Sequence, residues 1–230
     1  ETSIYFKNSF RFKSKDETWN LSLSTPFAFK SFQLEDANFE EQRDLDRLVF
    51  EPRFSLDKKL SAFWEVKTSV GLSYNFGELQ QLYYGFLLNG YRNLNRYNAP
   101  ISEEARQNYR GGLNYRNPLK QLFLNASYSY SFTENNLLYS SNIGENGTTI
   151  LEAVARDNSF DNHSISAGGS KYFRKLKTTF KLNTSYNLSK RQQLLNNTLA
   201  EVNTRSFTLR GSVYAEISSW LIANYSGTRT

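Results

Sequence analysis

The chain has 230 residues and a formal net charge of +6; it is 16% aromatic yet only 39% hydrophobic. A soluble core of this size draws mainly on Leu, Val and Ile, so abundant aromatics beside abundant Ser and Asn point instead to a sheet that is apolar on one face and wet on the other. Absence of Cys excludes thiol chemistry, with His163 as the single histidine a metal cluster or Ser-His-Asp triad would need every other group from elsewhere, and no apolar run approaches the roughly 18 residues of a transmembrane helix.

Alternation with period two marks strands with unlike faces, and it recurs along the chain. Ile4, Phe6, Phe10 and Phe12 oppose Ser3, Lys7, Ser9 and Arg11. Trp19, Leu21, Leu23, Phe27 and Phe29 oppose Asn20, Ser22, Ser24 and Lys30. A third segment sets Leu48, Phe50, Phe54 and Leu56 against Glu51, Arg53 and Ser55, and a fourth sets Trp64, Val66, Val70, Leu72 and Tyr74 against Glu65, Lys67, Ser69 and Ser73. Segments five and six carry Tyr109 to Tyr115 and Leu122 to Tyr130. Segments seven to nine carry Ile165 to Phe173, Phe180 to Leu188, and Phe207 to Ile217, the last with Arg210 and Glu216 on its polar side. A tenth begins near Trp220. Paired charges facing inward are costly in a dry core and ordinary in a water-filled lumen. The basic residues alternate with apolar ones instead of forming a patch, which argues against nucleic acid as a partner.

The connections alternate in length. Tight turns are expected near Lys15-Asp16, Asp57 to Lys59, Asn117-Pro118, Arg174-Lys175 and Ser218-Ser219, and long loops over 31–46, 76–105, 133–160 and 190–203. Outer-membrane barrels have short periplasmic turns and long extracellular loops. The expected fold is therefore all-β: an antiparallel transmembrane barrel wall of about ten consecutive strands in the bacterial outer membrane. On this orientation both chain ends lie on the extracellular side, whereas whole barrels keep them periplasmic. Residues 1–230 are thus expected to be part of a larger barrel domain, and the chain opens at Glu1-Thr-Ser-Ile4 with strand-like sequence in place of an export signal.

Leu48-Val-Phe-Glu-Pro-Arg-Phe-Ser-Leu-Asp57, with Lys59-Leu60 and Trp64-Glu-Val-Lys67, resembles the mid-barrel hairpin of TonB-dependent outer-membrane receptors. Tyr115-Arg-Asn-Pro-Leu-Lys120, Leu122-Phe-Leu-Asn-Ala-Ser-Tyr128 and Tyr84-Gly-Phe-Leu-Leu-Asn-Gly-Tyr-Arg-Asn-Leu94 look like the Bacteroidota receptors in particular. This resemblance, strongest over 48–140, implies a barrel of about 22 strands filled by a plug and energised by TonB, importing a scarce glycan, siderophore or peptide. Plug and TonB-contacting segment are absent from these residues. Outer-membrane lipid, lipopolysaccharide and a surface lipoprotein are the further partners implied. A plug-less channel and a barrel scaffolding a surface complex are the alternatives.

Pro52 offers no N–H to a ladder, so a bulge or a missing ladder bond is expected there. Glu51, Arg53, Glu65 and Lys67 are expected to face the lumen and pair across their hairpin, or to contact a plug or ligand. Tyr84, Tyr91, Arg92, Arg96 and Tyr97 are candidates for stacking on a ligand; tyrosine also concentrates at membrane interfaces. The acidic run with Asp36, Glu40 and Asp44 is a candidate for calcium, but it lacks the ligand spacing and turn glycine of a calcium loop, and a solvated extracellular loop is the favoured reading. No cofactor and no catalytic constellation are read from the sequence.

Overall fold

The computed structural model describes residues 2–36, 41–77, 83, 85–97, 99–196 and 198–230, with the side chains of Asp36 and Glu41 also outside the description. Among the described residues one antiparallel sheet holds almost every element. The strands are β1 (Thr2–Lys13), β2 (Trp19–Asp36), β3 (Glu41–Phe50), β4 (Arg53–Lys59), β5 (Trp64–Asn75), β6 (Phe86–Leu88) and β7 (Asn93–Arg96). They continue with β8 (Glu104–Asn117), β9 (Leu122–Ile143), β10 (Thr149–Phe173), β11 (Thr178–Leu195), β12 (Thr198–Ser218) and β13 (Leu221–Arg229).

Ten of these make the wall in sequence order, β1-β2-β4-β5-β8-β9-β10-β11-β12-β13. The path is open. β3 continues β4 upward and pairs β2, and β6–β7 is a short extra hairpin within the 76–105 connection.

Residues opposite each other in an antiparallel ladder share a face, so the register assigns the faces directly. One transverse row reads Phe10, Leu23, Phe54, Val70, Tyr109 and Tyr130. The adjacent row on the other face reads Ser9, Ser24, Arg53, Gly71, Asn108 and Ser131. Apolar side chains thus line one surface from β1 to β13 and stay exposed there; Ile4 is 71% exposed and Phe6 62%. Burial within this sheet does not account for such exposure. On the polar surface the hydroxyls meet instead, Ser22 with Ser55 at 2.6 Å and Ser127 with Ser166 at 2.7 Å.

Short turns close one end. In the first, the Thr18 hydroxyl donates to Asp16 Oδ1 at 3.0 Å and the Thr18 N–H donates to Ser14 Oγ at 2.9 Å. Hydrogen bonding to Ser14 and Thr18 holds the Asp16 carboxyl below its ordinary value. The Asn117-Pro118 turn is closed by the Lys120 N–H on Asn117 Oδ1, and a single 3-10 turn, Arg174–Leu176, joins β10 to β11.

Pro52 removes a ladder bond without shifting the register. Phe27 lies opposite Phe50 and Ser24 opposite Arg53, so Glu51 and Pro52 stand opposite Pro26 and Thr25 with no extra residue. The Glu51 N–H still donates to the Pro26 carbonyl at 3.1 Å, and the Leu72 N–H to the Pro52 carbonyl at 3.0 Å. No bulge forms. What changes is the neighbour: below the proline β4 pairs β5, while above it β3 leaves β5.

The expected long loops need correction. Most of 31–46, 133–160 and 190–203 is strand, because β2–β3, β9–β10 and β11–β12 run on well past the two-faced region. Among the described residues of 76–105, most lie outside strands.

Candidate functional site

The polar surface is the first part of the site. Around Arg53 it encloses a cavity of about 780 Å³ walled by serines and asparagines, into which Lys7, Arg53 and Arg110 project with no carboxylate among the lining residues. Gly71 makes room for this: a Cβ there would stand 3.3 Å from Arg53 Cγ, so the arginine stem lies across the β5 backbone. A positive, hydroxyl-lined wall favours anionic and hydrogen-bonding solutes over cations.

The charges expected to pair across the hairpin do not. Glu65 and Lys67 interact along one strand at 3.5 Å, and Arg53 stands between Ser24 and Gly71. Glu51 turns its carboxylate to the backbone, where Oε1 accepts the Tyr74 N–H at 2.7 Å. It supplies the acceptor that β3 withdrew on leaving β5, a role set by the ladder rather than by charge. Arg210 lies opposite Asn183 and Thr228 on the polar surface, and Glu216 faces Lys177 at 3.7 Å near the short-turn end.

The second part is the long end. By strand alternation Ala28, Lys30, Phe32 and Leu34 of β2, and Leu45, Arg47 and Val49 of β3, share the face of Ser22 and Ser24. That face becomes apolar here and is covered by Phe76 and by residues 99–103. Val49, Phe76 and Ile101 form a buried cluster with Phe32, Leu34 and Leu45 packed on it. Three cations pin the cover: Lys30 Nζ lies 5.2 Å from the Phe76 ring, Arg43 donates to the Ala99 carbonyl at 2.7 Å, and Arg47 makes a two-bond pair with Glu103 at 2.6 and 2.7 Å.

On its other side this segment joins the β9–β10 hairpin, which changes neighbours partway up. Below Asn135 the order is β8-β9-β10-β11. Above it β10 pairs in parallel with β7 through Thr149 to Glu152, and β9 pairs in parallel with β11 at Ser140 and Ser141. The two strands have exchanged sides. The register breaks there, between Ala155 and Asn158. The Asn158 amide donates to the Leu137 carbonyl at 2.7 Å, and Asn136 accepts the Glu103 N–H at 2.8 Å and donates to the Ile101 carbonyl at 2.9 Å. A second buried cluster of Ala99, Leu137 and Ala153 forms above the exchange, with Tyr97 and Tyr139 against it. Burial there pushes the Tyr139 phenol up.

The candidate ligand residues divide. Tyr97 packs edge-on against Tyr139 at 6.4 Å and its hydroxyl accepts from Asn95, so it is a packing residue. Arg96 is occupied by the Phe86 ring at 5.1 Å and Glu152 at 3.6 Å. Tyr91 remains open at 92% exposure, with Arg92 over its ring at 5.5 Å. Tyr84 and Glu40 lie outside the described residues, as does the Asp36 side chain. Asp44 accepts from Gln42 at 2.9 Å, and no carboxylate and histidine cluster suited to a metal occurs among the described residues. Sequence reading missed Arg43, Arg47, Asn135, Asn136 and Asn158. The Asn-Asn pair at 135–136 inside an otherwise alternating run is the signal that could have located the exchange.

No family model matches the chain, and no curated protein matches it in sequence. Among solved structures it is similar to the FrpB iron transporter from Neisseria meningitidis (F3-3 variant), with a TM-score of 0.64, 14% identity, and coverage of 98% of this chain and 32% of that one. It is also matched to the outer membrane transporter YddB from Escherichia coli, with a TM-score of 0.48, 8% identity and the same coverage. The chain therefore spans about a third of the length of each. The likeness to FrpB extends over nearly all of this chain, and the fold is that of an unclosed antiparallel wall segment of a β-barrel.

Proposed function

We propose that this chain is part of the wall of an outer-membrane transporter barrel that imports a scarce ligand, with its apolar face in lipid, short turns periplasmic and long hairpins extracellular. The observation that carries the reading is the two-faced ten-strand wall, whose exposed aromatics require an apolar solvent. The basic, serine-walled cavity narrows the cargo to solutes bearing anionic or multiple hydrogen-bonding groups. Energy from TonB, a plug domain and a Bacteroidota source belong to this proposal through the receptor-like residues at 48–140. The wall is non-catalytic in this reading.

A surface partner is a companion proposal. Leu88, Tyr91 and Ile143 stand 73, 92 and 55% exposed at the long end, beyond the rows assigned to lipid, where they are placed to meet the apolar surface of a partner. A surface lipoprotein is the partner we propose for it.

The test uses the full-length protein in its own bacterium. Recovery in the outer membrane as a heat-modifiable band, with uptake of an anionic ligand lost on deletion of tonB, is the expected result. Uptake that survives the deletion would favour a plug-less channel. Recovery in a soluble fraction would overturn the barrel reading.

A further inference from the structure

Glycine weakens a strand, and in a strand interior it often marks a place where another molecule approaches the backbone. On the apolar surface one transverse row reads Leu124, Gly169, Leu182, Gly211 and Gly227. Gly169 has a local reason, since a Cβ there would stand 2.8 Å from Leu124 Cδ2. Gly211, with β11 and β13 on either side, has none: a Cβ there would meet only Leu182 Cδ1, at 4.0 Å. Gly227 faces it from the edge strand β13. Neither residue has a positive φ. They stand directly opposite each other and leave bare backbone where neighbouring rows carry Val213 and Tyr225.

The result is a trough of about 690 Å³ on the apolar surface, walled by Leu124, Leu182, Phe180, Val213 and Tyr225. Its short-turn end carries charge. Lys171, opposite Leu122 and Phe180, extends its ammonium group to the Lys120 carbonyl and lies 5.9 Å from the Phe173 ring. One carbonyl uses one of its three donors. Arg174, Lys175 and Lys177 follow in the adjoining turn, with Glu216 the one carboxylate bonded to them.

We propose that this trough seats an acyl chain of an anionic glycerophospholipid whose phosphate is held by Lys171. The trough is apolar and open along the surface, which suits a hydrocarbon chain, and the cation beside it matches a phosphate at the chain's head. A lysine placed among apolar wall residues at the level of the aromatic Phe173 and Phe180 holds its charge at the headgroup depth. The inference rests on the membrane reading above, because only a lipid-facing surface meets such a ligand.

The experiment uses the full-length protein, extracted in mild detergent, with phosphatidylglycerol and phosphatidylcholine added as probes and bound lipid counted by native mass spectrometry. Gly211→Leu with Gly227→Leu fills the trough. Gly111→Leu is the control, since Gly111 lies on the same surface outside the trough and also has nothing within 4 Å of its Cβ position. The expected result is one retained phosphatidylglycerol, reduced about tenfold by the double variant and unchanged by the control. Lys171→Gln is expected to remove the preference for phosphatidylglycerol over phosphatidylcholine. Equal retention in the double variant and the control would overturn the inference, as would a second protein chain in place of lipid. Heat-modifiability of each variant separates the two readings: a folded barrel without selective lipid sinks this inference alone, and a protein that never enters the membrane sinks both.

Discussion

Asn158 donates its side-chain amide to the carbonyl of Leu137 at 2.7 Å, at the level where β9 and β10 exchange neighbours. The same amide lies 3.3 Å from the Asn135 carbonyl and 3.1 Å from that of Arg156. One side chain thus serves backbone acceptors that the broken register leaves without ladder partners.

Replacing Asn158 by Ala should therefore loosen the upper hairpin and leave the wall below intact. Leaving those carbonyls unserved costs about 1–3 kcal/mol. Hydrogen exchange should quicken at Leu137 to Ser141 and at Thr149 to Ala155, with no change at Ser127 or Ile165. Uniform quickening along both strands would show that the exchange point is not a separate unit.

Leu124 and Ser127 lie on opposite surfaces of β9. An arginine at Leu124, two residues inside the level of Lys171, should cost about 1–2 kcal/mol, between the interfacial and the midplane values, whereas Ser127→Arg faces the polar cavity side and should be mild. Folding yield into lipid vesicles measures the contrast. Equal losses would sink the assignment of faces.

Glu51 accepts the Tyr74 N–H at 2.7 Å through its carboxylate. Glu51→Gln keeps a side-chain oxygen for that bond and should be close to neutral. Glu51→Ala leaves the N–H unpaired in a partly buried place and should cost about 1–3 kcal/mol in urea unfolding from vesicles. Comparable losses in the two variants would assign the residue an electrostatic role instead.

Asp16 has its carboxyl held below its ordinary value, first by Ser14 and then by Thr18. A lowered carboxylate contributes stability at pH values above its ordinary range and loses it as pH falls through the lowered folded value. The first turn should thus tighten above about pH 4 and relax in stronger acid, and Asp16→Asn should abolish that dependence. Amide exchange at Thr18 and Trp19 across the acid range reads it. A dependence unchanged in the variant would place the titrating group elsewhere.

Much of the wall was legible in the sequence because its two faces meet different solvents. Segments such as Leu124 to Ser131 alternate strictly, since every even position meets one medium and every odd position the other. The ten wall strands and the short turns follow from that alternation. The long end was read as loop for the same reason. Leu137 and Leu138 are adjacent and both buried, so the upper β9 is covered on two sides and its alternation disappears, although its ladder continues. The role of Glu51 was hidden differently. Its position on the polar face was clear, but its partner is a backbone N–H freed by a change of neighbour above Pro52, and no pattern of side chains records that event.

The strand exchange also has a mechanical meaning. Above Asn135 the β9–β10 hairpin is gripped on both edges, by β7 and by β11, and below it by β8 and again by β11. Such an arm cannot swing as a flap, because any rotation about its base tears ladders on both flanks at once.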